Sequence, residues 1–358
     1  MIPAIREEFL RLLETDVFVD RTDERSRRLR YVEEFCKMAF QGVEAAFFCK
    51  YDPDTLIKLA RFEWLIRKSK KGHSYRYSSI GVNHYFRLHE HRYEFSPASG
   101  AKGPFQHLLC FYPRKGLDFI LELLNIAVAE YAYSDLDAQD RYSSTQRDPS
   151  KPVFEPLTIQ LNDGTKIQQH YSGRLWAAYR GHSVAPYLLQ SALMALENWL
   201  IAYAEYSESD QLEWLFDYIL RNSNSVMPTA VLASIATGFP AKVGKSALPL
   251  LRTAELYHMD RSRIIHERGG NEIDWHRSSF DALSELYSEE RRTAALRPWR
   301  TEHLETLIVR FQFSEWRDEA LAAIDLIRAS ESLNVLSATD AGRQYVSLLN
   351  KVQRAHQN

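Results

Sequence analysis

The sequence predicts a mainly α-helical protein: a multi-helix array or superhelix of packed α-hairpins carrying one small β-hairpin at about residues 157–169. Three observations lead there. Apolar residues recur at three- and four-residue spacing along most of the chain. The stretches so marked are roughly 10–20 residues long and joined by short links, as in helical arrays. The strict alternation of a half-buried strand occurs around Asp163-Gly164, where Thr158–Leu161 and Lys166–Gln168 flank a turn of the Asp-Gly type. No clean fixed-period repeat accompanies the helices, so a regular solenoid is not implied.

The array is organised around Gly173–Glu205, which reads as one long helix reached through a short aromatic and basic segment. Pro186 suits a first turn, where a missing N–H has no intrahelical partner. Leu189, Leu193, Leu196, Leu200 and Tyr203 then share a face, Trp199 adds a large apolar surface, and the small Ser191, Ala192 and Ala195 admit a close neighbour.

In chain order, Ile5, Phe9, Leu12 and Leu13 mark a first helix, followed by a charge run at 21–30. Val32, Phe35, Cys36, Ala39, Phe40, Val43 and Phe47 predict one strong amphipathic helix. Asp52-Pro53 caps and starts the next, which carries Leu56, Leu59, Ala60 and Trp64 and ends in Arg67, Lys68, Lys70, Lys71 and Gly72. Residues 73–103 read as irregular, with one short helix near Asn83–His91. A short helix at Pro104–Phe111 precedes one from Pro113 that is apolar almost all round, hence buried on most sides. After the central helix come further helices marked by Leu212–Leu220, Val231–Ala236, residues 246–268, Phe280–Tyr287, Leu304–Phe311, Leu321–Ile327 and, last, Tyr345, Leu348, Leu349 and Val352. The expected organisation is therefore an N-terminal helical region at 1–133, a polar linker or long loop at 134–152, the β-hairpin within 153–171, and a C-terminal helical array at 172–358.

The composition is that of a soluble globular chain: 358 residues, 45% hydrophobic and 26% charged, with a net charge of −2. That balance offers no global attraction for nucleic acid or membrane, and no apolar run reaches the ~20 residues of a membrane span. Cys36, Cys49 and Cys110 stand at no metal-like spacing and fit a reducing, cytoplasmic setting. No cofactor and no metal site is expected. His84, His89 and His91 are close in sequence but are accompanied by no cysteine and few carboxylates.

Gly238–Ser246 resembles a phosphate loop, but five residues separate its glycines where four are needed, Pro240 removes one N–H donor, and the preceding stretch looks helical rather than strand-like. A helix–helix connection fits better. Arg261 and His266 have the R-x4-H spacing of helical ribonucleases of the HEPN type, in which Arg and His lie one turn apart to position and protonate an RNA 2′-oxygen. The same pair fits a basic helix end. Between Lys58 and Arg92 cations outnumber carboxylates, with Arg61, Arg67, Lys68, Lys70, Lys71 and Arg76 interleaved with Tyr75 and Tyr77. Basic groups with stacking aromatics are the signature of nucleic-acid binding, and equally of a solvated helix end.

Four stretches carry a family resemblance. SGRLWAAYRGHSVAPYLLQSALMALENWL resembles a segment of very large bacterial ATP-binding proteins, the STAND-type, NACHT-like NTPases associated with antiphage defence. KGPFQHLLCFYPRKGLDFILELLNIAV upstream, and SNSVMPTAVLASIATGFPAKVGKSALPLLRTAELYHMDRSR and PWRTEHLETLIVRFQFSEWRDEALAAIDLIRA downstream, agree in order, spanning roughly residues 93–330. The resemblance implies an α-helical scaffold beside or after an NTPase core, with a part in sensing, autoinhibition or assembly. It implies protein partners: the protein's own NTPase domain, a second copy or a sensed ligand. No Walker A motif occurs here, so no ATPase residue carries over and no catalysis is expected of this chain. The alternatives left open are a nucleic-acid-binding or RNA-cleaving helical protein and a stand-alone protein-binding adaptor.

Overall fold

The computed structural model describes residues 3–19, 30–66, 81–89, 95–137, 150–181, 183–269 and 282–329. Helix α1 (Pro3–Leu12) runs into a π-helical turn at Leu13–Val17. The amphipathic helix expected through Val32–Phe47 is in fact two, α2 (Arg30–Phe40) and α3 (Gly42–Tyr51). Gly42 adopts φ +69°, a left-handed conformation that costs a residue without Cβ little and ends the first helix. The chain restarts at a new angle, so Val43 and Phe47, which share a face with the core by spacing, are 66% and 59% exposed.

The Asp52 carboxylate accepts the Thr55 N–H at 3.2 Å and Pro53 occupies the first turn of α4 (Pro53–Trp64), as the capping signal requires. Near Asn83–His91 the expected helix is a single 3-10 segment, Val82–Phe86, tied to the end of α4 by backbone bonds Ile66 N to Arg87 O and His89 N to Trp64 O, both 3.0 Å. Helices α5 (Phe105–Phe111) and α6 (Pro113–Tyr131) follow, sharply divided before Pro113.

Strands β1 (Leu157–Gln160) and β2 (Lys166–Gln169) form the hairpin, antiparallel with Ile159 opposite Ile167. Gly164 turns at φ +86°, and Asp163 accepts the Thr165 N–H at 2.8 Å. Short α7 (Gly173–Ala177), capped by Ser172 Oγ, and a 3-10 turn at Ala178–Arg180 lead past Gly181 to α8 (Tyr187–Tyr206), preceded by an extended Pro186. Leu189, Ala192, Leu193, Ala195, Leu196 and Leu200 of α8 are wholly buried. Each such leucine contributes about 1.5–3 kcal/mol relative to exposure. Helices α5, α6 and the later helix Val226–Gly238 pack around α8, so it is a hub as its sequence implies.

Helices α9 (Ser209–Arg221), α10 (Val226–Gly238), α11 (Pro240–Val243), α12 (Leu248–Leu251), α13 (Ala254–Gly269), α14 (Ala282–Ala295), α15 (Leu304–Gln312) and α16 (Arg317–Ala329) complete the described fold. The chain is thus mainly α with one small β-hairpin. A helix, not a strand, precedes Gly238–Ser246, and its glycines serve packing. A Cβ on Gly238 would lie 2.8 Å from the Trp299 ring, and one on Gly244 (φ +50°) 2.7 Å from that of Trp316. Among the described residues no single helix is long and apolar enough to cross a membrane. The central part of the expected 134–152 linker, residues 138–149, and the last expected helix lie outside the described residues.

Gly116 of α6 sits against the backbone of α5, where a Cβ would meet Leu108 C and Leu109 N at 2.8 Å. Helix propensity alone favours alanine there by about 1 kcal/mol, but overpacking against backbone costs about 1–3 kcal/mol. Gly116→Ala is therefore expected to lower the melting temperature in a thermal unfolding scan. A raised melting temperature would show that α5 and α6 do not touch at this point.

Candidate functional site

A dense gathering of ionisable side chains lies between α8, α10, α13 and the chain around Arg297–Glu302. Glu197, 1% exposed on α8, is gripped by the Arg300 guanidinium through two bonds of 2.7 and 2.6 Å. Arg297 Nη1 donates to the same carboxylate at 2.5 Å, as does Ser234 Oγ from α10. Trp299 Nε1 donates in turn to Ser234 Oγ at 3.2 Å. Burial alone would push the Glu197 carboxyl up; Arg300 and Arg297 more than reverse this and hold it down at about 2.

A second knot adjoins it. Arg263 on α13 donates to Asp260 (2.8 Å) and Glu267 (2.7 Å), and Arg180 closes on Glu267 at 2.6 Å. Asp260 also accepts from Trp176 Nε1 at 3.2 Å and from Leu304 N, the start of α15, at 2.9 Å. Arg263 reaches the carbonyls of Arg300 and Glu302, joining the two knots. Tyr179 lies between them, its hydroxyl pushed up to about 12 by burial, with Arg263 and Arg300 opposing.

A third group gathers the loop before α5. Ser99 Oγ donates to Glu290 of α14 at 2.6 Å, Gly100 N donates to it at 2.9 Å, and Asn198 joins Glu290 to Arg297. Lys102, buried, donates to the Ser96 carbonyl at 2.8 Å, and desolvation, aided by Arg291, lowers its ammonium to about 8. Ser99 and Lys102 have the S-x-x-K spacing of serine nucleophiles, a signal the sequence reading passed over. Ser99 is wholly buried, and its hydroxyl is committed to Glu290. These contacts orient and neutralise; every carboxylate in the three groups accepts from at least two donors.

Arg61 is a surface group of α4 paired with Glu122 of α6 at 2.5 Å. Arg67, Lys68, Lys70, Lys71, Tyr75, Arg76 and Tyr77 lie outside the described residues. Arg261 and His266 lie on α13. Arg261 is close enough to act electrostatically on His303 and Glu305 at the start of α15. His303 Nδ1 accepts the Thr306 N–H at 3.1 Å as the helix cap, and its Nε2 lies 3.8 Å from Glu305. Desolvation, against the opposing pull of Arg261, pushes the Glu305 carboxyl up to about 7. His91 lies outside the described residues, and among those described no three His, Cys, Asp or Glu side chains gather as a metal site.

The open surface feature is of another kind. Helices α1, α2 and α3 enclose a groove of about 660 Å³ lined by Phe9, Phe35, Met38, Phe47, Phe48 and Tyr51. Met38, Phe47 and Tyr51 are all more than half exposed, and the two charged residues on the lining, Glu44 and Asp52, are both acidic. Helical periodicity hid this feature, because it assigned Phe47 to a core face. Its signal was Gly42, where the period restarts.

No protein-family model matches the chain, and no curated protein matches it. The fold and these contacts define an α-helical protein whose interior charges join helices and which carries an open aromatic groove between α1, α2 and α3.

Two measurements test the charge assignments. Removing one partner of a buried pair costs about 3–5 kcal/mol, so Glu197→Gln is expected to destabilise by that order in denaturant unfolding. Because the folded Glu197 carboxyl lies at about 2, below its ordinary 4.5, it contributes stability above pH 4.5 that is lost as pH falls from 4.5 towards 2. At 1.36 kcal/mol per pH unit that contribution is about 3 kcal/mol. Glu197→Gln should therefore flatten the acid limb of the stability profile. Glu305 has the opposite sign: its raised value means stability is lost as pH rises from 4.5 to 7. Glu305→Gln should leave stability at pH 4 unchanged and raise it at pH 8, by about 1–2 kcal/mol after allowing for partial solvent screening. An unchanged profile in either variant would contradict the assigned environment.

Proposed function

We propose that this chain is the noncatalytic α-helical scaffold or sensor region of a STAND-like antiviral ATPase, acting in the cytoplasm by binding protein. The reading joins the family resemblance of residues 93–330 to one observation: the charged interior is closed on itself, whereas the groove of α1–α3 offers aromatic rings and Met38 to a partner. Exposed aromatics and methionine in a concave patch are the chemistry of protein recognition. On this reading the partners are the protein's own NTPase domain, another copy or a sensed protein ligand. The adaptor reading shares the surface and differs in whether an NTPase module is encoded with the chain.

The test is reconstitution with the NTPase module of the same reading frame or its neighbour. A complex is expected that Phe47→Asp and Met38→Asp each weaken at least tenfold, with the variants' own melting temperatures near the parent's because both side chains are exposed. Turnover of ATP or cleavage of RNA by the purified chain alone would overturn the reading. A complex indifferent to both substitutions would remove the groove from it.

A further inference from the structure

Resting on the reading of the α1–α3 groove as an interaction surface, we propose that its partner is a second copy of this chain, docked so that the two α3 helices run antiparallel about a two-fold axis at Phe47. The residues of α3 exposed to solvent are Val43, Glu44, Phe47, Lys50 and Tyr51. Their spacing is the same read in either direction from Phe47. Glu44 and Lys50 stand three positions away on the two sides, Val43 and Tyr51 four. Steps of three and four residues keep all five on one side of the helix. Their chemistry is ordered as well: the central and outermost residues are apolar or aromatic, and the two between them are one anion and one cation.

A surface with this order is complementary to itself turned end over end. In a two-fold interface residue i meets j while j meets i. With the axis at Phe47 the two Phe47 rings meet. Val43 then stands level with the partner's Tyr51, and Glu44 with the partner's Lys50, each pair occurring twice. Parallel helices would instead set Glu44 beside the partner's Glu44 and Lys50 beside the partner's Lys50, and like charges in register repel. Exposed ion pairs contribute little affinity. The charges therefore fix direction and register, while the rings supply the driving force. A foreign protein would need apolar surface to bind here, but not this repeated order of charge; a second copy needs both.

The apolar area is of the size such a pair requires. Phe47 and Tyr51 stack with ring centroids 6.4 Å apart and planes 5° from parallel. Met38 stands on the same groove. The patch continues onto the end of α5, where Lys50 Nζ lies 5.9 Å from the Phe111 ring and the Tyr112 hydroxyl donates to the Lys50 carbonyl at 2.8 Å. Met38, Val43, Phe47, Tyr51, Phe111 and Tyr112 are between 38% and 69% exposed. Aromatic side chains bury about 150–250 Å² each, so these six residues leave on the order of 600 Å² open on one molecule. That lies at the upper end of the largest apolar patch of a monomer, about 300–600 Å². Pairing two copies covers about 1,200 Å², where stable specific interfaces begin.

The experiment is sedimentation velocity of the full chain over a range of concentrations. A monomer–dimer equilibrium in the micromolar range is expected for an interface of this size. Phe47→Asp, which sets two carboxylates at the axis, should raise the dissociation constant at least tenfold. Glu44→Lys places cation against cation and Lys50→Glu places anion against anion, so each alone should weaken pairing several-fold. Glu44→Lys combined with Lys50→Glu should restore it. An equal mixture of the two single variants should form a mixed dimer, because every level pair in it is again opposite in charge. All three side chains are exposed, so melting temperatures in the dilute, monomeric range should match the parent's, which separates lost pairing from lost folding. A chain that stays monomeric throughout the micromolar range would overturn the proposal. So would a dimer that Phe47→Asp leaves intact, or a mixture of the single variants that pairs no better than either alone. If the chain is monomeric while Phe47→Asp still weakens the NTPase-module complex, only the second copy fails. If Phe47→Asp is also without effect there, the groove is not an interaction surface at all.

Discussion

One carboxylate governs how the helices can be assembled. Glu197 lies in the middle of α8, a helix whose other buried positions are mostly leucine and alanine. Aliphatic packing is non-directional, and a leucine face tolerates sliding or rotation against its neighbours at modest cost. The two-pronged contact with Arg300 does not: a bidentate guanidinium–carboxylate pair has one good geometry. Because Ser234 and Arg297 use the same carboxylate, α8, α10 and the chain around 297–300 are placed together or not at all. A buried pair of this kind adds little net stability over well-packed apolar residues, yet losing one member is costly. Its effect is to select one arrangement among several that the apolar surface would accept.

The architecture was legible in the sequence because helices announce themselves by local means. The Asp52-Pro53 cap, the break at Pro113, the Asp163-Gly164 turn and the apolar periodicity of α6 and α8 are interactions between residues a few positions apart. The reading of Val32–Phe47 failed for a related reason. Spacing across the junction preserved the helical period, so only the backbone freedom of Gly42 could signal the break, and a glycine inside an amphipathic pattern is tolerated often enough to be ambiguous. The restart at Gly42 turned Phe47 and Val43 outward.

The site was much less legible. Glu197 and Arg300 are separated by 103 positions, Trp176 and Asp260 by 84, and Ser99 and Glu290 by 191. No spacing rule connects such residues, and each looks like an ordinary surface charge or hydroxyl in its own segment. Arg261 drew attention through its distance to His266, whereas its neighbour Arg263 carries the buried contacts; helical phase separates the two, and only the packing of α13 says which face turns inward. The aromatic groove was hidden by the opposite error, since exposed Phe and Met are indistinguishable in sequence from core residues.

Charge balance links the interior to the surface. The three groups contain Glu197, Asp260, Glu267 and Glu290 against Arg180, Arg263, Arg297, Arg300 and Lys102, the last with its ammonium lowered to about 8, so the charges come close to balance. Balance matters because an uncompensated charge at this depth would cost several kcal/mol in desolvation. In the proposed function, recognition falls to surfaces where desolvation is favourable, and the opening between α1, α2 and α3 has that chemistry: exposed aromatic rings with two carboxylates at the lining. The same physics that closes the interior on itself leaves aromatic surface exposed between α1, α2 and α3, the surface on which the proposed function rests.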